Sequence, residues 1–155
     1  MNRFEIVVVL LCSFTLGCNN PSVKYQQQIE IVKTLLVNCS KNDTSAVKNM
    51  IGVNLEEIGS NNETLIWNVG KVNKLLKEYG MPDESKFILK EYKEKNPELL
   101  DVTVPILTDG KGRLKDARIT ISFVKWVPPS KILNFNISTT YEPTPIEPVP
   151  TSSGR

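Results

Sequence analysis

The side chains that most often move protons, attack carbonyls or hold metals are sparse in this chain and form no recognisable set. Histidine is absent altogether. Without an imidazole there is no Ser-His-Asp or Cys-His nucleophile system, and the commonest metal ligand is missing. Carboxylates group only at Glu56-Glu57, Asp83-Glu84 and Glu142. A His-independent glycosidase needs two carboxyl groups converging across ~5–9.5 Å, which spacing in sequence cannot establish. The first pair falls in a turn and the second at a helix start, where acids suit the positive end of the helix dipole. Both read as solvated acids, so no catalytic residue is nominated. Thr108-Asp109-Gly110-Lys111-Gly112 has the flavour of a calcium or phosphate loop but lacks the ligand spacing of either, and reads as a hairpin turn. No metal or cofactor is expected.

Residues that could bind rather than react are also few. Trp67 and Trp126 are candidate contacts for a partner or a small apolar ligand, with core packing as the alternative for each. Lys111, Arg113, Lys115 and Arg118 form one basic cluster. It could meet anionic headgroups, or it could be a solvated edge that discourages strand-to-strand aggregation. Asp109 and Asp116 reduce its field. With 19 basic and 17 acidic residues the net charge is +2, far from the strong bias that predicts nucleic-acid binding.

The N-terminus carries the sharpest signal. Arg3 and the free amine make a short positive start, and residues 6–16 follow as 11 uncharged positions. That length matches the hydrophobic region of a signal peptide and falls short of the ~20 residues that span a bilayer. The stretch closes with Phe14-Thr15-Leu16-Gly17-Cys18, which resembles a lipobox, the cleavage and acylation site of bacterial lipoproteins, with Thr15 where Leu is most usual. The resemblance implies cleavage after Gly17, a diacylglyceryl group on the Cys18 sulfur, and a protein held on the cell envelope (outer membrane or periplasm-facing in a Gram-negative cell) without spanning it. Several acyl chains together anchor stably, at ~0.8 kcal/mol per buried methylene. Residues 18–22 would then be a short tether, and Cys39, with Cys12 removed, would have no partner for an internal disulfide. The competing reading is an unanchored secreted protein. Sequons at Asn38, Asn42, Asn62 and Asn136 fit it, although Asn38 and Asn136 fall in apolar-periodic segments.

The elements that must position these residues divide into helices first and strands after. Tyr25, Ile29, Val32, Leu36 and Cys39 make one apolar stripe, predicting a helix over 22–40 capped by Ser22. Asn42-Asp43-Thr44 caps a short second helix with Val47, Met50 and Ile51 inward and Gly52 as its stop. A third helix starts at Asn61 or Asn62 and lines up Leu65, Val69, Val72, Leu76 and Tyr79. Lys71, Lys74 and Lys77 stand toward its negative end, and Gly80 and Pro82 lie beyond. Residues 101–107, 114–126 and 131–141 read as strands, with turns at 108–112 and Pro128-Pro129-Ser130. Residues 87–92 form either a fourth strand or a helix capped by Asp83, with the strand preferred; Pro105 calls for an edge or a bulge.

The expected fold is therefore α+β: two or three N-terminal helices on one face of a three- or four-stranded antiparallel sheet, a single domain over 23–141 between a signal peptide at 1–17 and a Pro-rich, disordered tail at 142–155. The segment 69–89, with Tyr79-Gly80-Met81-Pro82 between helix and strand, resembles the helix–Gly-x-Pro–strand unit of envelope-assembly lipoproteins with the β-lactamase-inhibitor-protein-like fold. The whole order is also similar to cone-shaped nuclear-transport-factor-like domains. Neither resemblance brings catalytic residues that map onto this chain. The expected function is a non-catalytic binding module, its partner an envelope protein or small apolar ligand; the alternative is a hydrolase or carbohydrate-active enzyme working with Asp and Glu.

Overall fold

A computed structural model describes residues 24–52, 62–95, 98–124 and 131–143. Among the described residues three α-helices, α1 (Gln26–Ser40), α2 (Thr44–Met50) and α3 (Asn62–Tyr79), precede a sheet of β1 (Ile88–Tyr92), β2 (Leu99–Leu107), β3 (Leu114–Val124) and β4 (Asn134–Tyr141). The strands follow one another in space as in sequence, all antiparallel. This is the α+β order expected, with residues 87–92 resolved in favour of a strand. Asp83 does cap helical backbone, accepting from Ser85 N–H at 2.9 Å, but only for the single 3₁₀ turn Glu84–Lys86.

Period-two alternation gives the sheet one apolar face. Leu100, Val102 and Val104, then Ala117, Ile119, Ile121 and Phe123, then Phe135 and Ile137, are all buried. The register stacks them into rows such as Leu89–Val102–Ile121–Phe135. Against this face pack Leu65, Val69, Val72, Leu75 and Leu76 of α3 and Ile29, Val32, Leu35 and Leu36 of α1, joined by Val47 of α2. Pro105 sits where β2 has run past the end of β1, next to a register shift between Pro105 and Leu107, so its missing N–H interrupts no ladder on that side.

Several local expectations are corrected. Tyr79 is about a third exposed, outside the buried run of α3 that closes with Leu75 and Leu76. Gly52 is not a left-handed helix stop. The helix ends at Met50, Ile51 turns extended and bridges Ile132 in parallel, and Gly52 N–H donates to Ile132 C=O at 2.8 Å. Ile132 is fully buried just before β4, where that bridge holds it. In the β2–β3 hairpin the positive φ falls on Asp109, at 52°, while Gly110 serves close approach: a Cβ there would stand 2.3 Å from Leu114 O. Asn136 is exposed on the solvent side of β4, where the apolar alternation leaves it room. The Ser22 cap, the Asn61 cap, Glu56-Glu57, the Pro128-Pro129-Ser130 turn, the signal segment with its tether, and the tail from residue 144 lie outside the described residues.

Two buried asparagines on α3 tie it to its neighbours, Asn73 to α1 and Asn68 to β4. Asn73 donates to the carbonyls of Cys39 at 3.0 Å and Ser40 at 2.7 Å, closing the end of α1, and Asn68 donates to Phe135 C=O at 3.4 Å. Helix C-termini leave unpaired carbonyls, and a buried one without a partner costs about 1–3 kcal/mol. Asn73→Ala should therefore lower the unfolding free energy by about 1–3 kcal/mol, read as a reduced urea midpoint at unchanged slope.

Candidate functional site

Because the helices fill one face, the other face of the sheet is what the fold presents. Along it the register sets Lys90, Asp101, Ser122 and Asn134 in one row and Ile88, Thr103, Thr120 and Asn136 in the next. Ser122 Oγ donates to Asp101 Oδ1 at 2.7 Å, and the hydroxyls of Thr103 and Thr120 are 3.5 Å apart. Arg118 Nε meets Asp116 Oδ2 at 2.8 Å farther along β3. The surface is flat, hydroxyl-rich and internally paired at its centre, with exposed amides at the β4 edge. Its two carboxylates do not converge: Asp101 lies opposite Ser122, six residues along β3 from Asp116, or ~20 Å at strand rise. That exceeds the separation of glycosidase pairs.

A cleft of about 250 Å³ opens between α1 and the start of β1, lined by Ile29, Glu84, Ser85, Phe87 and Leu89. At its mouth Lys33 Nζ stands 2.9 Å from Glu30 Oε1 and 3.0 Å from Glu84 Oε2. One ammonium thus bridges two carboxylates, and those hydrogen bonds, Glu30's first, hold the lysine above its ordinary pKa. All three groups are well exposed to water. Sequence reasoning missed this triad because Glu84 reaches α1 only through the fold, 51 positions away from Lys33. Among the described residues no group of three or more acidic or cysteine side chains is placed to hold a metal ion.

The residues singled out from sequence are dispersed. Trp67 is exposed at 60% beside Ile66 at 57%, near the start of α3, and Lys71 lies 4.8 Å from the centre of its ring. Lys71 also donates to Thr139 Oγ1 at 3.2 Å, so it ties α3 to β4 rather than serving only the helix dipole. Trp126 and Cys18 lie outside the described residues. The basic cluster is split by acids: Lys115 pairs with Glu142 at 3.3 Å and Arg118 with Asp116, while Lys111 and Arg113 occupy the exposed hairpin. Asn68 and Asn73 were readable as polar residues inside the apolar stripe 65, 69, 72, 76, a signal that marks an interior hydrogen bond.

No protein-family model matches the chain, and no curated protein or solved structure matches it.

Cys39 is buried among α1 and α3 side chains, and burial pushes its thiol up to about 12. The thiolate is the reactive form, so the native protein should leave Cys39 unalkylated near neutral pH. Unfolding in urea should expose it, and peptide mapping after iodoacetamide treatment distinguishes the two states. Modification of Cys39 under native conditions would contradict the packing described for α1.

Proposed function

We propose that this protein is an exported bacterial lipoprotein, anchored to the cell envelope through acylated Cys18, whose α+β domain acts as a non-catalytic binding module. The observation that carries the reading is the uncharged run at 6–16 closing on Gly17-Cys18 directly ahead of a folded domain that begins by residue 24. No helix among the described residues is long and apolar enough to cross a membrane. Attachment by acyl chains needs none.

What the domain offers a partner is the hydroxyl- and amide-rich sheet face. The described cleft, about 250 Å³, is smaller than the ~300–1,000 Å³ of ordinary small-molecule sites. The apolar sheet face is already taken by α1 and α3. A protein or other polar partner with matching donors and acceptors suits this surface better than an apolar ligand enclosed in a cone. The split basic cluster gives nucleic acid no phosphate track.

A second reading, a carbohydrate-active or hydrolytic enzyme, rests on the Glu30–Lys33–Glu84 triad at the cleft mouth. In that case Glu84→Gln would abolish a measurable hydrolysis while leaving the fold intact. In the binding-module reading the same substitution removes one exposed ion pair and shifts stability by less than ~1 kcal/mol.

The anchor is tested directly. Wild-type protein should pellet with membranes, and its N-terminal peptide should carry diacylglyceryl mass on Cys18. Cys18→Ser should lose the lipid and the cleavage after Gly17. An unmodified Cys18, or cleavage elsewhere, would instead favour the unanchored secreted protein.

A further inference from the structure

We propose that the β1–β2 end of the sheet, where Lys90 and Lys95 gather on the ring of Tyr92, is a headgroup-docking surface through which the domain rests on the bilayer that holds its anchor. The proposal rests on acylation of Cys18 and adds the orientation of the domain, which acylation alone does not set.

The path of α1 sets the direction from which the anchor arrives. Lys24 Nζ lies 3.0 Å from Glu91 Oε1, and Tyr25 OH donates to the same carboxylate. One turn on, Ile29 lines the cleft with Phe87 and Leu89, and a further turn on Lys33 Nζ reaches Glu84 Oε2 at 3.0 Å. The helix therefore runs back along β1, from the end of the strand toward its start and past it. The chain ahead of Lys24 accordingly leaves the fold at the end of the sheet that holds Tyr92, the residue after Glu91. Six residue steps separate Cys18 from Lys24, at most ~20 Å of extended chain. A tether of that length keeps this end of the sheet near the headgroups.

The chemistry at that end suits a phospholipid surface. Tyr92 pairs with Leu99, which pairs with Val124, and this last row of the open face is apolar and half-buried. Lys90 Nζ and Lys95 Nζ lie 4.8 and 4.9 Å from the centre of the Tyr92 ring, within the range where the ring quadrupole attracts a cation. Two ammoniums are thus gathered beside a phenol, the kind of ring enriched where membrane meets water, and they match the charge of a lipid phosphate. Lys24 and the exposed Lys93 add to them, while Glu94 and Glu98 oppose them and Glu91 is already engaged by Lys24 and Tyr25. Four cations against three acids make no broad basic field, so the attraction lies in the placed ammoniums and the phenol. The basic hairpin with Lys111 and Arg113 lies beyond Leu114, ~33 Å along β3 from Val124, and is remote from the anchored surface. Headgroup contact thereby passes from Lys111, Arg113, Lys115 and Arg118 to Lys90 and Lys95.

The test uses the acylated full-length protein incorporated into preformed phosphatidylethanolamine–phosphatidylglycerol vesicles and treated with a water-soluble acetylating ester, with the modified lysines quantified by peptide mapping. Docking predicts that Lys90, Lys93 and Lys95 are acetylated several-fold more slowly on vesicles than in detergent micelles, while Lys111 reacts equally in both. Lys90→Gln together with Lys95→Gln should return Lys93 to its rate in micelles, with the protein still floating with the vesicles through its lipid. Vesicle-bound wild type in which Lys93 and Lys95 react as fast as in micelles would overturn the docking and leave the anchor standing. Protein that does not associate with vesicles at all would overturn the anchor, and the docking with it.

Discussion

An antiparallel sheet can leave one face in water, but a sheet that alternates Val, Ile and Phe with polar residues has to bury the other. Here Val102, Ile119 and Ile121 lie at the centre of that face, and Val32, Val69 and Val72 from the helices are equally inaccessible against the same core. At about 25 cal/mol per Å² of apolar surface removed from water, this contact is the main term favouring the fold. Everything else follows its geometry. The helices come first in sequence and pack on the one face that needs cover, so the polar face is left as the open surface.

The edges of the sheet are managed by side chains. On β4, Phe135 C=O accepts from Asn68, Ile137 N–H donates to Asn136 Oδ1, and Thr139 takes Lys71. On β1, Glu91 receives Lys24 and Tyr25. Unpaired strand edges invite pairing with other chains, and contacts of this kind blunt that tendency. They leave the flat Ser, Thr and Asn face, rather than an unpaired strand edge, as the open polar surface.

The chemistry and the address of this chain are separable. The described side chains bring together one exposed ion triad and a buried thiol, each explained by local packing and solvation. The proposed address rests on the N-terminal residues, on glycine then cysteine at 17 and 18. The fold sets α1's entry, through Lys24 and Tyr25 on Glu91, at one end of the sheet and the charged hairpin at the other.

Helix stripes, capping by Asp43, the left-handed Gly80 at φ 83° and the alternation of β3 were legible in the sequence, because each is governed by residues within a turn or two of one another. The lipobox resemblance is of the same local kind. The preference for a strand at 87–92 was legible too, although Asp83 signalled a helix start that survives only as one 3₁₀ turn. Tertiary structure alone decided the roles of Gly52 and Ile132, the exposure of Tyr79, the bridge from Lys33 to Glu84 and the tie from Lys71 to Thr139. Those depend on which strands pair and how the helices lie across them. Such contacts join residues tens of positions apart, and no local period or propensity encodes their distance.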